Sequence, residues 1–339
     1  MTKYNDLFVR DSLGDTGDIP YVGNVCYQCP DILPAGLTPI DNPAVYYTNN
    51  YNQFIGSDII FGRYNYIYIR VKNLSAQPVS GQVNLYYIPS NIFSLPRQWV
   101  NNRIPNINGT LTGTFNTPIT PNGIGVIDAP FYWNPPTMPS GYHFCLTAQI
   151  ITAQHPNPIP INDNIFDYEQ WIRSNGGAAF RNINIANPSG QSVTQWVLDM
   201  ANPEPQANLF IITATCTNCP ANSVLTLISP GPGPNPPLNY SETINSNYQI
   251  ITTATYLPAN FDAQIIATYT PSGPSTDASI VFKTYLSVSQ EDLNRVANPA
   301  TLRSLASLGI TAPVNGVEAN DPLLELSAFT WYQGMPLQR

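Results

Sequence analysis

Proline and glycine decide most about what this chain can become. Thirty-four prolines and twenty-one glycines are scattered along it, and a proline inside a helix removes a backbone donor and clashes with the preceding turn. Few stretches are left for an undisturbed helix, so strands separated by turns are the expected structure. Residues 64–71, 82–88 and 143–150 read as strands, because β-branched and aromatic residues recur there with a period of two. The same reading predicts strands at 180–185, 195–200, 207–215, 223–228, 248–256, 263–269 and 280–288. The expected fold class is all-β: two tandem immunoglobulin-like antiparallel β-sandwiches with a short C-terminal helical segment, for which 339 residues suffice.

Two segments share a pattern. Residues 69–79, with Asn73, Ser75 and Gln77, read like residues 183–193, with Asn187, Ser189 and Gln191. Each is a strand ending in Asn-x-Ser-small-Gln, which suggests one sandwich type used twice. Between them, residues 153–160 are rich in proline and read as a stiff connector. The expected division is a first sandwich over 1–165, a second over 166–288, and short helices with a docking tail over 289–339. Residues 166–172 read as one helical turn ahead of the second sandwich. In the last part, Ser289-Gln290-Glu291-Asp292 reads as a capping box and Asn298-Pro299 as a second helix start. Leu302, Leu305 and Leu308 then form one face, with Gly309 as the stop. The apolar tail, Leu323 to Tyr332, is expected to dock on a sandwich or on a neighbouring subunit.

Charged residues are only 10% of the chain, where roughly 25% is usual. Lys3, Lys72 and Lys283 are the only lysines. A surface built from Asn, Thr, Ser, Gln, Tyr and Pro has little like-charge repulsion, so it suits contact with itself, with proteins or with sugars. A net charge of −8 without basic clusters argues against nucleic acid as a partner. Apolar runs are short, well below the ~18 residues of a membrane-spanning helix. Residues 1–6 lack the basic start and apolar core of a secretory signal. Export is therefore expected by another route, or after removal of a leader.

The segment from Asp6-Leu7 through Arg10-Asp11 and Asp15 to Gly17, followed by Cys29-Pro30-Asp31-Ile32, resembles the opening of bacterial immunoglobulin-like modules. Those modules are attached to exported proteases, adhesins and toxin-associated proteins. They typically begin Asp-Leu-x-x-Arg-Asp-x-x-x-Asp-x-Gly and continue Ser-Pro-Asp-Ile. Further matches at 65–73, 96–99, Trp133, 141–148 and 178–182 extend the resemblance over residues 6–182. It implies the sandwich fold and an extracellular or cell-surface location, with cytoplasmic storage before release as a variant. It says little about activity, since a sandwich is a scaffold. Cys29 departs from the pattern, where Ser is usual.

Two C-x-x-C-P segments stand out, Cys26 to Pro30 and Cys216 to Pro220. The 186-residue gap between them far exceeds the ~15–20 residues of common four-thiolate zinc modules. Neither is followed by a helical pattern, which a thioredoxin-type thiolate needs. Disulfides involving Cys26, Cys29, Cys216 and Cys219, within or between chains, stand beside ordinary free thiols as readings. Cys145 reads as a small buried hydrophobe. Asp11, Asp15 and Asp18, with Gly14 and Gly17, could bind calcium or could serve as turn and cap residues. The only imidazoles are His143 and His155, neither in a nucleophile motif, and no phosphate-binding glycine loop is present. The chain is therefore expected not to be an enzyme. Twenty tyrosines with Trp99, Trp133, Trp171, Trp196 and Trp331 could furnish stacking platforms or contact anchors. The Pro-Gly tract 230–237 reads as an exposed loop. The expected partners are a second copy of the chain in a homo-oligomer, or a cell-surface protein or glycan.

Overall fold

The computed structural model describes residues 2–23, 27–89, 95–115, 117–136, 144–162, 164–183, 194–230, 237–275 and 277–332. Eleven strands occupy the first part: β1 Thr2–Lys3, β2 Leu7–Phe8, β3 Asp18–Ile19, β4 Ile32–Gly36, β5 Asn65–Asn73, β6 Gly81–Pro89, β7 Thr112–Thr114, β8 Ile124–Val126, β9 Phe131–Trp133, β10 Phe144–Thr152 and β11 Ala178–Ile183. Helices α1 (Pro43–Asn49), α2 (Pro96–Trp99) and α3 (Ile165–Arg173) interrupt them. All pairings are antiparallel. β5 carries β4 and β2 along one edge and β9 and β8 along the other. The facing sheet runs β11-β10-β6-β7.

The pleat turns Ile67, Ile69 and Val71 of β5 toward Val83 and Leu85 of β6 and Phe144, Leu146, Ala148 and Ile150 of β10, and these close one core. The opposite face of the β6-β10-β11 sheet is also covered. Tyr86 and Phe180 there meet Trp99 of α2, with ring centroids 5.4 and 6.4 Å apart, and α3 adds Tyr168 and Ile172.

Eight strands follow: β12 Thr194–Asn202, β13 Asn208–Thr217, β14 Ser223–Ile228, β15 Asn239–Ile244, β16 Tyr248–Leu257, β17 Phe261–Thr270, β18 Ser279–Ser287 and β19 Leu323–Tyr332. They form two sheets, β12-β17-β14-β15 and β16-β13-β18-β19. Period-two burial points Leu225 and Leu227, Ala263 to Tyr269, and Phe210 to Cys216 inward, where Trp196 meets Phe282 at 5.4 Å and Trp331 at 5.3 Å. The expected sandwich architecture thus holds as antiparallel β layers packed face to face.

The order β11-β10-β6-β7 reappears as β19-β18-β13-β16. The two parts also share a corner. Asn73, ending β5, accepts from Ser75 N–H and donates to the carbonyls of Gln77 and Ile119 (2.8, 2.7 and 2.7 Å). Asn202, ending β12, accepts from Glu204 N–H and donates to the carbonyls of Gln206 and Leu257 (3.3, 2.8 and 3.0 Å). The partner of Asn73 is thus Asn202; Asn187, matched to it by sequence, lies outside the described residues.

One seam joins the parts. The backbone N–H of Ile165, at the start of α3, donates to buried Glu204 (3.0 Å), which also pairs with Arg295 at 2.9 Å. Arg295 in turn lies over the Phe166 ring at 4.1 Å. Tyr27 reaches Glu325, Asn182 reaches the Ala328 carbonyl, and Arg97 pairs with Asp262. A single hydrophobic cluster runs from Trp99 and Tyr168 through to Phe282.

Two expectations are corrected. The stiff connector at 153–160 turns back on the sheet, with Thr152 N–H on the His155 carbonyl and Asn157 in the left-handed region (φ 47°). The helices expected over 289–309 are 3-10 turns at Asp292–Arg295, Pro299–Thr301 and Ala306–Leu308, while the α-helical turns lie at α1, α2 and α3. The caps sit where the sequence placed them. Ser289 accepts from Asp292 N–H, Asn298 accepts from Ala300 N–H, and Gly309 is left-handed at φ 81°. Too few residues separate these signals for a helix to propagate, and the leucines divide: Leu302 joins the main core, whereas Leu305 and Leu308 cover the outer face of β13 and β18. The tail is a full strand, β19, hydrogen-bonded to β18 with a bulge between Thr284 and Tyr285. No helix among the described residues is long and apolar enough to cross a membrane.

Candidate interaction surfaces

The aspartates of the opening segment have separate tasks. Asp15 accepts from the backbone N–H of Asp11 and of Gly17 (3.0 and 2.9 Å), which fixes the turn. Asp18 faces solvent in a pair with Lys3 at 3.0 Å, and that pair holds its carboxyl below the usual range. Asp11 is buried, and burial beside Asp15 holds its carboxyl well above the usual range. The fold does not bring the three together as one ligand set. Among the described residues no group of three or more His, Cys, Asp or Glu side chains is placed to hold a metal.

The residue that organises this region is Asp31. It accepts from Arg10 N–H, Arg10 Nε and Arg10 Nη2 at 3.0, 2.9 and 2.7 Å and from Arg70 Nε at 2.8 Å, with all three side chains buried. Arg70 continues to the carbonyls of Tyr47, Asn50 and Pro30, pinning α1 to the sheet. The Tyr51 ring packs on Arg10 at 3.6 Å and on Arg70 at 4.8 Å. Arg181 enters from β11, donates to the Ile32 and Ile55 carbonyls and stacks over Phe54 at 4.3 Å. Gly56 leaves room for it, since a Cβ there would lie 2.7 Å from its Nη2. The Arg-Asp and Pro-Asp-Ile motifs marked Arg10 and Asp31, and Arg70 lies within the 65–73 match, but nothing local in the sequence signalled Tyr51.

Of the cysteines, Cys26 lies outside the described residues, as does His143. Cys29, Cys145, Cys216 and Cys219 are thiols. Cys29 Sγ accepts from Asp31 N–H at 3.3 Å, and burial raises its pKa. Cys145 donates to Asn182 Oδ1 at 2.8 Å. Cys216 and Cys219 are brought together and hydrogen-bond each other, which lowers Cys219 to about 7 and raises Cys216. His155 Nδ1 lies 2.7 Å from Asp6 Oδ2, and Thr152 donates to the same oxygen. The hydroxyl thus faces the carboxylate rather than the imidazole, an arrangement that locks a turn.

The outer face of β5 is aromatic. Tyr64 stacks on Tyr132 at 4.6 Å and 16°, Tyr132 touches Tyr66 at 4.9 Å, and Tyr68, Tyr47 and Tyr46 continue the row at 5.3 and 5.1 Å. Tyr64, Tyr46, Val45, Leu37 and Phe54 are exposed by 54, 43, 62, 50 and 48%. Elsewhere an open depression of about 630 Å³ beside β7 is lined by amides and hydroxyls including Gln82, Asn108, Thr112 and Thr114. The Pro-Gly loop, 231–236, lies outside the described residues.

No protein-family profile matches the chain, and no curated protein sequence matches it. Among solved structures, red sea bream transglutaminase is 11% identical at a TM-score of 0.19, over 70% of this chain and 28% of the transglutaminase. The collagen-binding domain of the Erysipelothrix rhusiopathiae surface protein RspB is 9% identical at 0.17, over 91% of this chain and 96% of its own. The enterotoxigenic E. coli adhesin CfaE is 8% identical at 0.20, over 98% of this chain and 93% of its own. Likeness at these scores carries no weight for function, which rests on the chain's own surfaces.

Proposed function

We propose that the chain is a non-enzymatic bacterial structural and interaction protein, made of two immunoglobulin-like sandwiches in tandem, that joins copies of itself at the cell surface or outside the cell. The sheet order supports the immunoglobulin-like reading: β5 with β8 and β9 corresponds to strands B and E, and β11-β10-β6-β7 to G-F-C-C′. The repeated order in β19-β18-β13-β16 and the Asn73 and Asn202 corners support the tandem. The observation that carries the functional reading is where charge and apolar surface lie. Arg10, Arg70, Arg173, Arg181, Asp31, Glu169, Glu204 and Glu325 are buried, so a chain already poor in charge presents even less of it outside. Aromatic and aliphatic groups stand exposed instead, among them Tyr64 stacked on Tyr132 beside β5 and Val45 and Tyr46 on α1. Light scattering over a concentration series, with and without reductant, tests this. Concentration-dependent mass that falls in a Val45→Lys, Tyr46→Lys variant supports it, and a parent monomeric at every concentration removes it.

The Tyr64–Tyr132 stack favours a second reading, an adhesin-like module that binds a cell-surface protein or glycan. Two parallel phenols with one ring half exposed offer the flat face on which a sugar ring stacks. Glycan binding lost in Tyr64→Ala, with the chain monomeric, would establish this in place of self-assembly.

A further inference from the structure

We infer that the outward edge of β16 is a strand-pairing site for β16 of a second copy of this chain. The inference rests on the self-assembly reading and adds to the α1 and β5 surface a second interface with a defined register. Asn218 N–H donates to the Asn247 carbonyl at 2.7 Å, extending the β13–β16 ladder. Alternation then turns Asn247, Gln249, Ile251, Thr253 and Thr255 toward β13, and turns the N–H and C=O of Tyr248, Ile250, Thr252, Ala254 and Tyr256 away from it. The chain's own side chains close two points of that edge: Ser246 Oγ donates to the Tyr248 carbonyl at 2.6 Å, and Asn315 Nδ2 donates to the Ala254 carbonyl at 2.8 Å. Between these, the N–H and C=O of Ile250 and Thr252 meet no partner among the described residues.

Exposed edges are normally guarded by charge, proline or a bulge. The other long edges here are guarded: β12 carries Asp199, β15 carries Glu242, β19 carries Glu325 beside its own bulge at Leu326, and β11 is overlaid by residues 27–29. β16 has none of these. Its ten residues pair with β13 without a register shift, and no charged residue occurs between Glu242 and Asp262.

The same features select a second copy as the occupant. A two-fold axis through Ile251 sets Ile250 opposite Thr252 of the second copy and Thr252 opposite its Ile250. All four open groups on each chain are then used, in four hydrogen bonds. An uncharged strand places no like charge against itself in that arrangement. Exposed Tyr248 comes diagonal to exposed Tyr256 of the second copy, within aromatic reach.

The test uses the intact chain. Amide hydrogen exchange at Ile250 and Thr252 is read at low and high concentration beside light scattering, for the parent, Ile250→Lys and Thr252→Pro. Proline at an outward edge position removes only a donor that the fold leaves free, and circular dichroism checks that both variants keep the parent's spectrum. The expected result is protection of both amides that rises with concentration, and a dimer dissociation constant raised at least about tenfold in each variant. If the parent associates while both amides stay unprotected, the β16 site is overturned and self-assembly stands. A parent that never associates overturns both. Protection in the parent supports the site even where a variant fails to fold.

Discussion

Replacing Asp31 with asparagine keeps the shape of the side chain and removes its charge. Arg10 and Arg70 are then left inside the protein with their guanidinium groups facing a neutral amide, since Asp31 accepts from both and all three side chains are buried. Breaking one side of a buried ion pair costs about 3–5 kcal/mol, because the surviving charge has lost its compensation. Arg70 retains the carbonyls of Tyr47, Asn50 and Pro30, which places the expectation for Asp31→Asn near the lower end, about 3 kcal/mol. For a cooperative unit of roughly 150–250 residues this lowers Tm by about 6–12 °C. Thermal melts followed by circular dichroism at pH 7 measure it, with Asp18→Asn as the control, because that carboxylate faces solvent. A Tm for Asp31→Asn that matches the control would refute the claim that the Asp31 charge holds α1 and the opening segment on the sheet.

Three further outcomes follow from other sites. Burial pushes the Asp199 carboxyl up to about 6, against a hydrogen bond from Gln264 that lowers it; its contribution to stability is therefore complete below the ordinary value near 3.9 and lost as pH rises through about 6. Asp199→Asn is expected to exceed the parent by about 1 kcal/mol at pH 8, after discounting for partial exposure, and to match it at pH 4; a gap in urea titrations that does not change with pH refutes this. In Cys216→Ala, the Cys219 thiol loses the hydrogen bond that holds it near 7, so its thiolate absorbance is expected at higher pH, and an unmoved midpoint refutes the pairing. Ending the chain at Pro322 removes β19, whose Leu323, Leu324 and Ala328 are fully buried; the product is expected to lose its cooperative melt and aggregate, and a soluble chain with the parent's melt refutes it.

The strands were legible wherever apolar side chains alternate over six or more residues. β14 occupies 223–228 as read, and β5, β6, β10, β13, β16, β17 and β18 lie within a few residues of the expected bounds. Shorter elements were not. β7, β8 and β9 have three residues each, too few for a period to show, and β4 carries Pro34 in its middle. β15, Asn239–Ile244, is an edge strand with largely polar residues. α1 follows Asn42-Pro43, the same Asn-Pro start as Asn298-Pro299, but Asn42 is left-handed and makes no side-chain cap, and only seven residues follow. The site followed the same logic. Asp31 and Arg70 are 39 residues apart and meet only because β4 lies beside β5. The sequence pattern points to Asn187 as the repeat of Asn73, because Ser189 and Gln191 follow it as Ser75 and Gln77 follow Asn73. The corner at Asn202 keeps only the asparagine and the Gln206 position, with Glu204 in place of serine, because the geometry needs the Asn amide and two backbone groups rather than a hydroxyl.

The seam around α3 has a mechanical consequence. Where two sandwiches are strung on a flexible linker, a pull on the ends first straightens the linker. In this chain Glu204 holds the start of α3, Arg295 lies over Phe166, and one hydrophobic cluster runs through from Trp99 to Phe282. Bending would have to open that cluster and uncover aromatic surface to water. The protein should therefore transmit load as a rod, and a pair of copies joined along β16 would inherit its stiffness rather than the slack of a chain of beads.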